Sequence, residues 1–197
     1  MSPLFETISI QGGKPYNLEL HNARLNRSRR ALFGCADQLD IAAYIKAPAG
    51  LPHIRCRMVY EEEIIDTTYE NYSKRAIRSL KLIPSDEINY SHKYLDRSCF
   101  APLMAQKGNC SDILIVRRGL ISDTSFSNVA LLGGNQWFTP ASPLLAGVQR
   151  QYLINRNMII PCDIAPTDLA GFQRIRLINA MLPWEDCIEL SMDCVVI

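Results

Sequence analysis

Lys93 is the side chain in this sequence best suited to act as a nucleophile. It stands in the segment Tyr90-Ser91-His92-Lys93-Tyr94-Leu95-Asp96-Arg97, just before an expected helix. A lysine becomes nucleophilic when burial or a nearby cation lowers its pKa, and the apolar and aromatic neighbours, with Arg97 one turn away, favour this. The ordinary role of a lysine in such a place is to lie in solvent. Lys93 is therefore a candidate whose chemistry depends on what surrounds it.

Asp123 is a second candidate, because it is followed by a cluster of hydroxyl and amide side chains in Thr124-Ser125-Phe126-Ser127-Asn128. Such a cluster can orient a carboxylate or bind a phosphate. The simpler interpretation is that the aspartate forms a turn and the cluster a loop. A functional role for Asp123 requires a cation to pair with it.

An anion site is predicted where the chain runs from Thr139-Pro140 through a stiff loop into a helix that begins at Gly147. The first backbone N–H groups of a helix lack acceptors, and the helix dipole favours negative charge there. Arg24 is a candidate for a separate phosphate-binding guanidinium, because its planar donors match phosphate oxygens. Close packing is the alternative role of the glycine.

The remaining polar residues point to structure rather than chemistry. We expect the other arginines of the first helix to form a solvated face: Arg27, Arg29 and Arg30. His21 is interpreted as a structural histidine, and His53 and His92 are isolated. No spacing of histidine and cysteine supports a metal site or a Cys-His nucleophile, so no metal is expected.

The elements that position these residues predict an α+β protein with two lobes. The first lobe, residues 1–85, is expected to contain strands, a helix and a short second helix: strands 4–10, 16–20, 53–62, 64–73 and 76–83, and helices 21–32 and 39–46. The second lobe, residues 86–197, is expected to contain strands 113–116, 120–122, 127–132, 137–139, 174–179 and 188–196, and helices 95–107 and 147–157. Pro84-Ser85-Asp86-Glu87 marks the boundary.

Composition narrows the class of partner. The 197 residues include 21 Lys and Arg against 20 Asp and Glu, so no overall field attracts nucleic acid or an anionic membrane. The seven cysteines form no C-x-x-C pair, which is typical of reduced thiols. The first ten residues do not resemble a signal peptide, and no apolar run approaches the length of a membrane span. We expect a cytoplasmic protein whose partner is a small molecule or another subunit.

Taken in order, these segments resemble the class IV aminotransferases, which are fold-type IV enzymes that use pyridoxal phosphate (PLP). The resemblance rests on five motifs: Phe5-Glu6-Thr7 with His21-x-x-Arg24-Leu25, then Lys93, then Ser122-Asp123-x-x-x-x-Asn128, then Thr139-Pro140 with Leu145-Ala-Gly147-Val-Gln-Arg150, and finally Ile178-Asn179-Ala180-Met181-Leu182-Pro183. The last motif is most similar to the 4-amino-4-deoxychorismate lyases of this family. The resemblance implies a D-amino-acid-aminotransferase-like architecture with a shortened first lobe.

The resemblance also assigns roles to residues. It implies that Lys93 binds the PLP aldehyde covalently and moves the substrate proton, and that Asp123 keeps the pyridine nitrogen protonated. The phosphate would be held by Arg24 and the helix start, which are Gly147, Val148 and Gln149. Ser127 and Asn179 would contact phosphate or substrate. The resemblance further implies a homodimer and a primary-amine substrate.

Three departures from the family pattern bear on function. Asp123 replaces a glutamate, Gln149 replaces the threonine of the phosphate site, and the sequence begins almost at the Phe5-Glu6-Thr7 motif, without the leading segment of its relatives. The expected function is a lyase that releases p-aminobenzoate and pyruvate from 4-amino-4-deoxychorismate. The alternatives are a branched-chain or D-amino-acid transaminase of the same family, and a non-catalytic relative that binds a phosphorylated ligand.

Overall fold

The computed structural model describes residues 2–48, 50 and 52–197, which form two compact units. The first unit comprises residues 1–74 and 92–96, and the second comprises 75–91 and 97–197. The division differs from the single boundary near residue 85 that the sequence suggested. Residues 80–84 form a strand of the second unit, whereas residues 92–96 return to pair with the first strand of the first unit.

Within the described residues, the first unit is an antiparallel sheet with one long helix. Its strands are β1 (Leu4–Gln11), β2 (Lys14–Pro15), β3 (His53–Tyr60) and β4 (Ile64–Asn71), in the spatial order β2-β1-β3-β4, and helix α1 spans Leu18–Phe33. Alternate residues of β3 are buried, as expected when one face of a sheet is covered. The core under α1 contains Leu4, Ile8, Ile10, Leu25, Ile41, Ile54, Cys56, Met58 and Tyr60.

The turn between β1 and β2 explains why the predicted return strand is short. Gly12 and Gly13 both have positive φ, 54° and 77°, and Gln11 pairs with Lys14, which is the geometry of a two-residue type I′ hairpin. The extended segment predicted over 16–20 is wrong, because α1 begins at Leu18. The helix predicted over 21–32 is confirmed. The helix predicted over 39–46 is only a 3₁₀ turn, Ile41–Tyr44.

The described residues of the second unit form two sheets. One has the order β13-β5-β6-β7 and the other β10-β9-β8-β11-β12. The strands are β5 (Leu80–Pro84), β6 (Asp112–Arg117), β7 (Leu120–Thr124), β8 (Asn128–Gly133), β9 (Gln136–Pro140), β10 (Ile160–Cys162), β11 (Arg174–Ile178), β12 (Ile188–Ser191) and β13 (Val195–Val196). Helix α3 (Val148–Asn155) contributes Leu153 to a buried cluster with Ala130, Ile159 and Ile178.

The helix predicted over 95–107 is largely wrong. The chain forms a 3₁₀ turn at Ser98–Phe100 and a single helical turn, α2 (Ala101–Met104). Pro102 lies in the first turn of α2, where its missing N–H costs nothing; a helix from 95 to 107 would place it in the interior. The α+β class expected from the sequence is confirmed. No helix in the described part of the chain combines the length and apolar character needed to cross a membrane.

Candidate active site

Glu6, His21 and Arg24 form a buried polar cluster in the first unit. Glu6 lies on β1, on the face covered by α1, and the other two residues share one side of α1 because they are three positions apart. Arg24 donates from Nε to Glu6 Oε1 over 2.8 Å, and its Nη2 donates to Oε2. His21 Nδ1 lies 2.6 Å from Glu6 Oε2. Glu6 and His21 are completely buried.

The charges of this cluster follow from its contacts. Burial alone would raise the pKa of Glu6, but the Arg24 charge and the hydrogen bonds from Arg24 and His21 outweigh it and lower the pKa to about 2. Burial lowers the pKa of His21, against the opposing effect of Glu6. An ionised Glu6 only accepts, so the proton of the neutral imidazole lies on Nδ1. Glu6 therefore fixes the plane of the Arg24 guanidinium.

The prediction that His21 is a satisfied structural histidine is only half correct. Its Nδ1 is bonded, but its buried Nε2 has no hydrogen-bond partner among the described residues. The expectation for Arg29 is wrong, because its side chain is 1% exposed. Arg29 donates to the Glu62 carbonyl over 2.7 Å and pairs with Asp37, so it secures the end of α1.

Lys93 lies in the short segment that extends the sheet of the first unit beside β1. Phe5 N donates to the Lys93 carbonyl over 2.9 Å, and Leu95 N donates to the Pro3 carbonyl over 2.7 Å. These bonds fix the backbone on both sides of the lysine. Its Nζ lies 4.6 Å from the centroid of the Phe5 ring. The aromatic surroundings expected from the sequence are therefore present.

Arg97 and Lys93 belong to different units, so the predicted effect of Arg97 on Lys93 stays a prediction. In the second unit, Arg97 Nη2 donates to the Ser125 carbonyl. Its guanidinium lies 5.6 Å from the ring of Tyr90 and 5.0 Å from that of Phe100. Arg97 therefore secures the loop that follows Asp123.

Asp123 is the central acid of the second unit. It lies near the end of β7 and is 4% exposed. Asn128 Nδ2 donates to Oδ1 and the Leu145 backbone N–H donates to Oδ2, each over 2.9 Å. Burial raises the pKa of Asp123 to about 6, although these donors and the Arg150 charge act in the opposite direction. Among the described residues, Asp123 has no ion pair.

The start of α3 packs against Asn128, the residue whose amide donates to Asp123. A Cβ on Gly147 would lie 1.9 Å from Asn128 Oδ1, so only glycine permits the observed packing. Gly147 precedes the helix without a side-chain cap, and Gln151 N donates to the Gly147 carbonyl over 3.0 Å. Val148 and Gln149, in the first turn, are buried. The expected helix start at Gly147 is confirmed.

Arg150 ties α3 to the end of β9. Its Nε donates to Thr139 Oγ1 over 3.2 Å and its Nη2 to the Pro140 carbonyl over 2.7 Å. Because the guanidinium is committed to these neutral acceptors, Arg150 acts on Asp123 only as a nearby charge.

Ser127 and Asn179 make local contacts in the second unit. Ser127 Oγ lies 2.7 Å from Thr124 Oγ1, within the turn between β7 and β8. Asn179 Oδ1 accepts from Met181 N over 2.9 Å, and this bond shapes the turn after β11. These contacts give both residues a structural role, and their predicted contacts with phosphate or substrate stay predictions.

The structure thus distributes the predicted site residues over its two units. Lys93 and Arg24 lie in the first; Asp123, Ser127, Gly147, Val148, Gln149 and Asn179 lie in the second. The sequence includes Asn128 in the cluster that can orient Asp123, and the bond from Asn128 to Asp123 agrees with this, whereas it assigns no role to Glu6, which holds Arg24. A signal for Glu6 was present, because an acid interrupts the apolar inward positions Leu4, Ile8 and Ile10 of β1.

Comparison with known proteins gives this arrangement its context. Residues 58–187 match the family described as Amino-transferase class IV. An uncharacterised protein of Haemophilus influenzae is 37% identical over 185 residues, which cover 92% of this chain and 98% of that protein.

Solved structures show the same fold. A proposed 4-amino-4-deoxychorismate lyase of Haemophilus somnus 129PT has a TM-score of 0.83 and 35% identity, over 92% of this chain and 97% of that one. The PLP-bound form of a hypothetical aminotransferase from Mycobacterium tuberculosis has a TM-score of 0.74 and 16% identity, over 96% and 80% of the two chains. The chain therefore belongs to the class IV aminotransferase family.

Proposed function

We propose that this protein is a PLP-dependent 4-amino-4-deoxychorismate lyase, which releases p-aminobenzoate and pyruvate. The family supports a PLP enzyme that acts on an amine. The choice of the lyase is supported by the relative from Haemophilus somnus, which is 35% identical over nearly its whole length. The resemblance at Ile178–Pro183 favours the same substrate.

The environment of the Asp123 carboxylate is the observation that supports the proposal most directly. Asp123 is a buried carboxylate with an N–H donor on each oxygen and no ion-paired cation among the described residues. A pKa of about 6 leaves it mostly ionised at neutral pH, with Arg150 as a nearby charge but no directly bonded cation among the described residues. A protonated pyridine nitrogen is the cation that such a group would stabilise, so the residue fits PLP. When bound, PLP supplies an aldehyde that reacts with amines and a ring that accepts electrons.

The first unit supplies the groups for proton transfer and for binding an anion. Lys93 Nζ, positioned by the backbone bonds to Phe5 and Pro3, would bind the aldehyde carbon, and after displacement by the substrate amine it would take and return the substrate proton. Arg24, held by Glu6, would bind phosphate.

The start of α3 would provide further phosphate contacts through the backbone N–H groups of Val148 and Gln149. Gln149, in place of the threonine usual in the family, removes one hydroxyl donor, so the backbone carries more of this role. A homodimer is part of the proposal through the family resemblance, and light scattering coupled to gel filtration tests it.

The experiment that tests the proposal offers the PLP-treated protein 4-amino-4-deoxychorismate and, separately, a panel of branched-chain and D-amino acids with 2-oxoglutarate. Formation of p-aminobenzoate and pyruvate in equal amounts is the expected result. Lys93→Ala should abolish it, whereas Lys14→Ala, which alters an exposed lysine of the β hairpin, should not. Amino transfer without p-aminobenzoate would replace the lyase by a transaminase. A colourless protein that is inactive in both assays would be a non-catalytic relative.

A further inference from the structure

The segment 125–127 joins the strand that carries Asp123 to the strand that begins at Asn128. β7 and β8 belong to different sheets of the second unit, so this short segment carries the chain from one sheet to the other. Asp123 lies one residue before the end of β7, Asn128 is the first residue of β8, and their side chains are hydrogen bonded. The conformation of the segment 125–127 therefore sets the position of the Asn128 amide relative to the Asp123 carboxylate.

Asp112, on β6, holds this segment at Ser125. Ser125 Oγ donates to Asp112 Oδ2 over 3.0 Å, and both residues are buried. Asp112 Oδ1 accepts from the Ile113 backbone N–H over 2.8 Å, so the carboxylate is fixed to its own strand. In addition, Arg97 Nη2 donates to the Ser125 carbonyl. Ser125 is thus held through both its side chain and its backbone.

Asp112 is an acid in an otherwise apolar stretch of β6. The residues that follow it on this strand are buried and apolar: Ile113, Leu114, Ile115 and Val116. Burial raises the pKa of Asp112, against the hydrogen bonds from Ile113 and Ser125 and the charge of Arg75. A buried carboxylate is costly unless hydrogen bonds compensate for its lost hydration. Of the two bonds given above, only that from Ser125 comes from outside β6, so the acid is explained by its hold on Ser125.

We infer that Asp112 is a positioning residue of the cofactor site: through Ser125 it fixes the segment 125–127 and so keeps the Asn128 amide on Asp123. The inference rests on the proposed function, in which Asp123 contacts the pyridine nitrogen of PLP. Without the bond from Asn128, the Asp123 carboxylate keeps its bond from the Leu145 N–H and can rotate about it. Loss of Asp112 should therefore weaken the contact of Asp123 with the ring nitrogen specifically.

The test measures how two ligands bind to the full-length protein: PLP, and its deaza analogue, in which C–H replaces the ring nitrogen. The analogue cannot pair with Asp123 but keeps the phosphate and the aldehyde. The ratio of the two dissociation constants, measured from the visible bands, therefore reports the contact between Asp123 and the ring nitrogen.

Four variants are compared with the wild type. Asp112→Leu and Ser125→Ala each remove the bond between these two residues. Asp112→Asn can retain it, because an amide accepts from the Ile113 N–H through its oxygen and donates to the Ser125 hydroxyl through its nitrogen. Ile83→Val, on the neighbouring strand β5, is the matched control: it removes one buried methyl group and leaves Asp112 and Ser125 unchanged.

In the wild type, PLP should bind more tightly than the deaza analogue. Asp112→Leu and Ser125→Ala should each raise the dissociation constant of PLP about tenfold, as expected for loss of one hydrogen bond to a charged group, and that of the analogue less than about twofold. Asp112→Asn and Ile83→Val should bind both ligands as the wild type does. In the apoprotein, the stability losses of Asp112→Leu and Ser125→Ala should be non-additive, because both remove the same bond.

Two results would overturn the inference and leave the proposed function intact. One is an equal rise of both dissociation constants in Asp112→Leu and Ser125→Ala, which would give Asp112 a general role in folding. The other is unchanged PLP binding in Ser125→Ala, the milder substitution, which decides the test if Asp112→Leu does not fold. Wild-type protein that binds no PLP, or binds PLP and its deaza analogue equally, would instead refute the proposed role of Asp123, and the inference with it.

Discussion

Gly147→Ala tests the packing that positions Asp123. The backbone of Gly147 has φ −74° and ψ 141°, which any residue can adopt, so alanine introduces no backbone strain. Its Cβ, however, would lie 1.9 Å from Asn128 Oδ1. A Cβ contact below 3.0 Å essentially does not occur, so the amide must move by more than about 1 Å.

The energetic effect follows from the bonds that Asn128 makes. Its Nδ2 donates to Asp123 Oδ1 over 2.9 Å and to the Leu145 carbonyl over 2.8 Å. Losing one bond to a charged group and one to a neutral carbonyl costs about 3 kcal/mol. For a chain of this size, that corresponds to a fall in melting temperature of about 6–12 °C.

Thermal and urea denaturation of the apoprotein at pH 8 measure this change, and Asn128→Ala provides the control. If the clash with Asn128 causes the loss, Gly147→Ala should be nearly neutral in the Asn128→Ala background, so the two changes are strongly non-additive. The reasoning is refuted if Gly147→Ala destabilises both backgrounds equally, or if it lowers the free energy of unfolding by less than about 0.5 kcal/mol in the wild type.

Three further predictions concern buried charges. The Glu6 pKa of about 2 lies below its ordinary 4.5, so the stabilisation of the fold by the ionised Glu6 is complete above pH 4.5 and is lost as the pH falls towards 2. The difference in unfolding free energy between wild type and Glu6→Gln should shrink by about 3 kcal/mol across that range. A constant difference would contradict the pairing of Glu6 with Arg24. The Asp123 pKa is raised from 3.8 to about 6, so ionisation of Asp123 destabilises the apoprotein above pH 6. Relative to Asp123→Asn, the unfolding free energy of the wild type should increase by about 3 kcal/mol as the pH falls from 7 to 4. Added PLP should suppress this increase. Arg29→Ala should lower the unfolding free energy by about 3 kcal/mol in urea denaturation, because the side chain is buried. Arg30→Ala, at an exposed position, is the control and should change it by less than about 0.5 kcal/mol. Equal effects of the two substitutions would contradict the burial of Arg29.

The sequence predicted the long helix and the start of α3 because local signals suffice there. Leu25 and Leu32 recur at helical spacing, and Gly34 ends α1 in the left-handed conformation. The helix predicted over 95–107 failed although the sequence contained a warning, because Pro102 is tolerated only in a first turn.

Other features depend on partners that are distant in the sequence. Arg29 is expected on a solvated helix face, but its buried guanidinium donates to the Glu62 carbonyl and pairs with Asp37, both of which lie outside α1 in the sequence. The requirement for Gly147 comes from Asn128, nineteen positions away, and no local pattern indicates that contact. The family resemblance proposes the candidate site as a set of residues, whereas the pairing of Arg24 with Glu6 and the packing of Gly147 against Asn128 required the structure.

The covalent attachment of PLP to Lys93 is the central claim, and one measurement tests it most directly. The protein is incubated with PLP, reduced with borohydride, digested with trypsin and analysed by mass spectrometry. We predict a pyridoxyl group on the peptide of residues 82–97, which contains Lys93 as its only internal lysine. A modification confined to another of the six lysines, or no modification at all, would contradict the account.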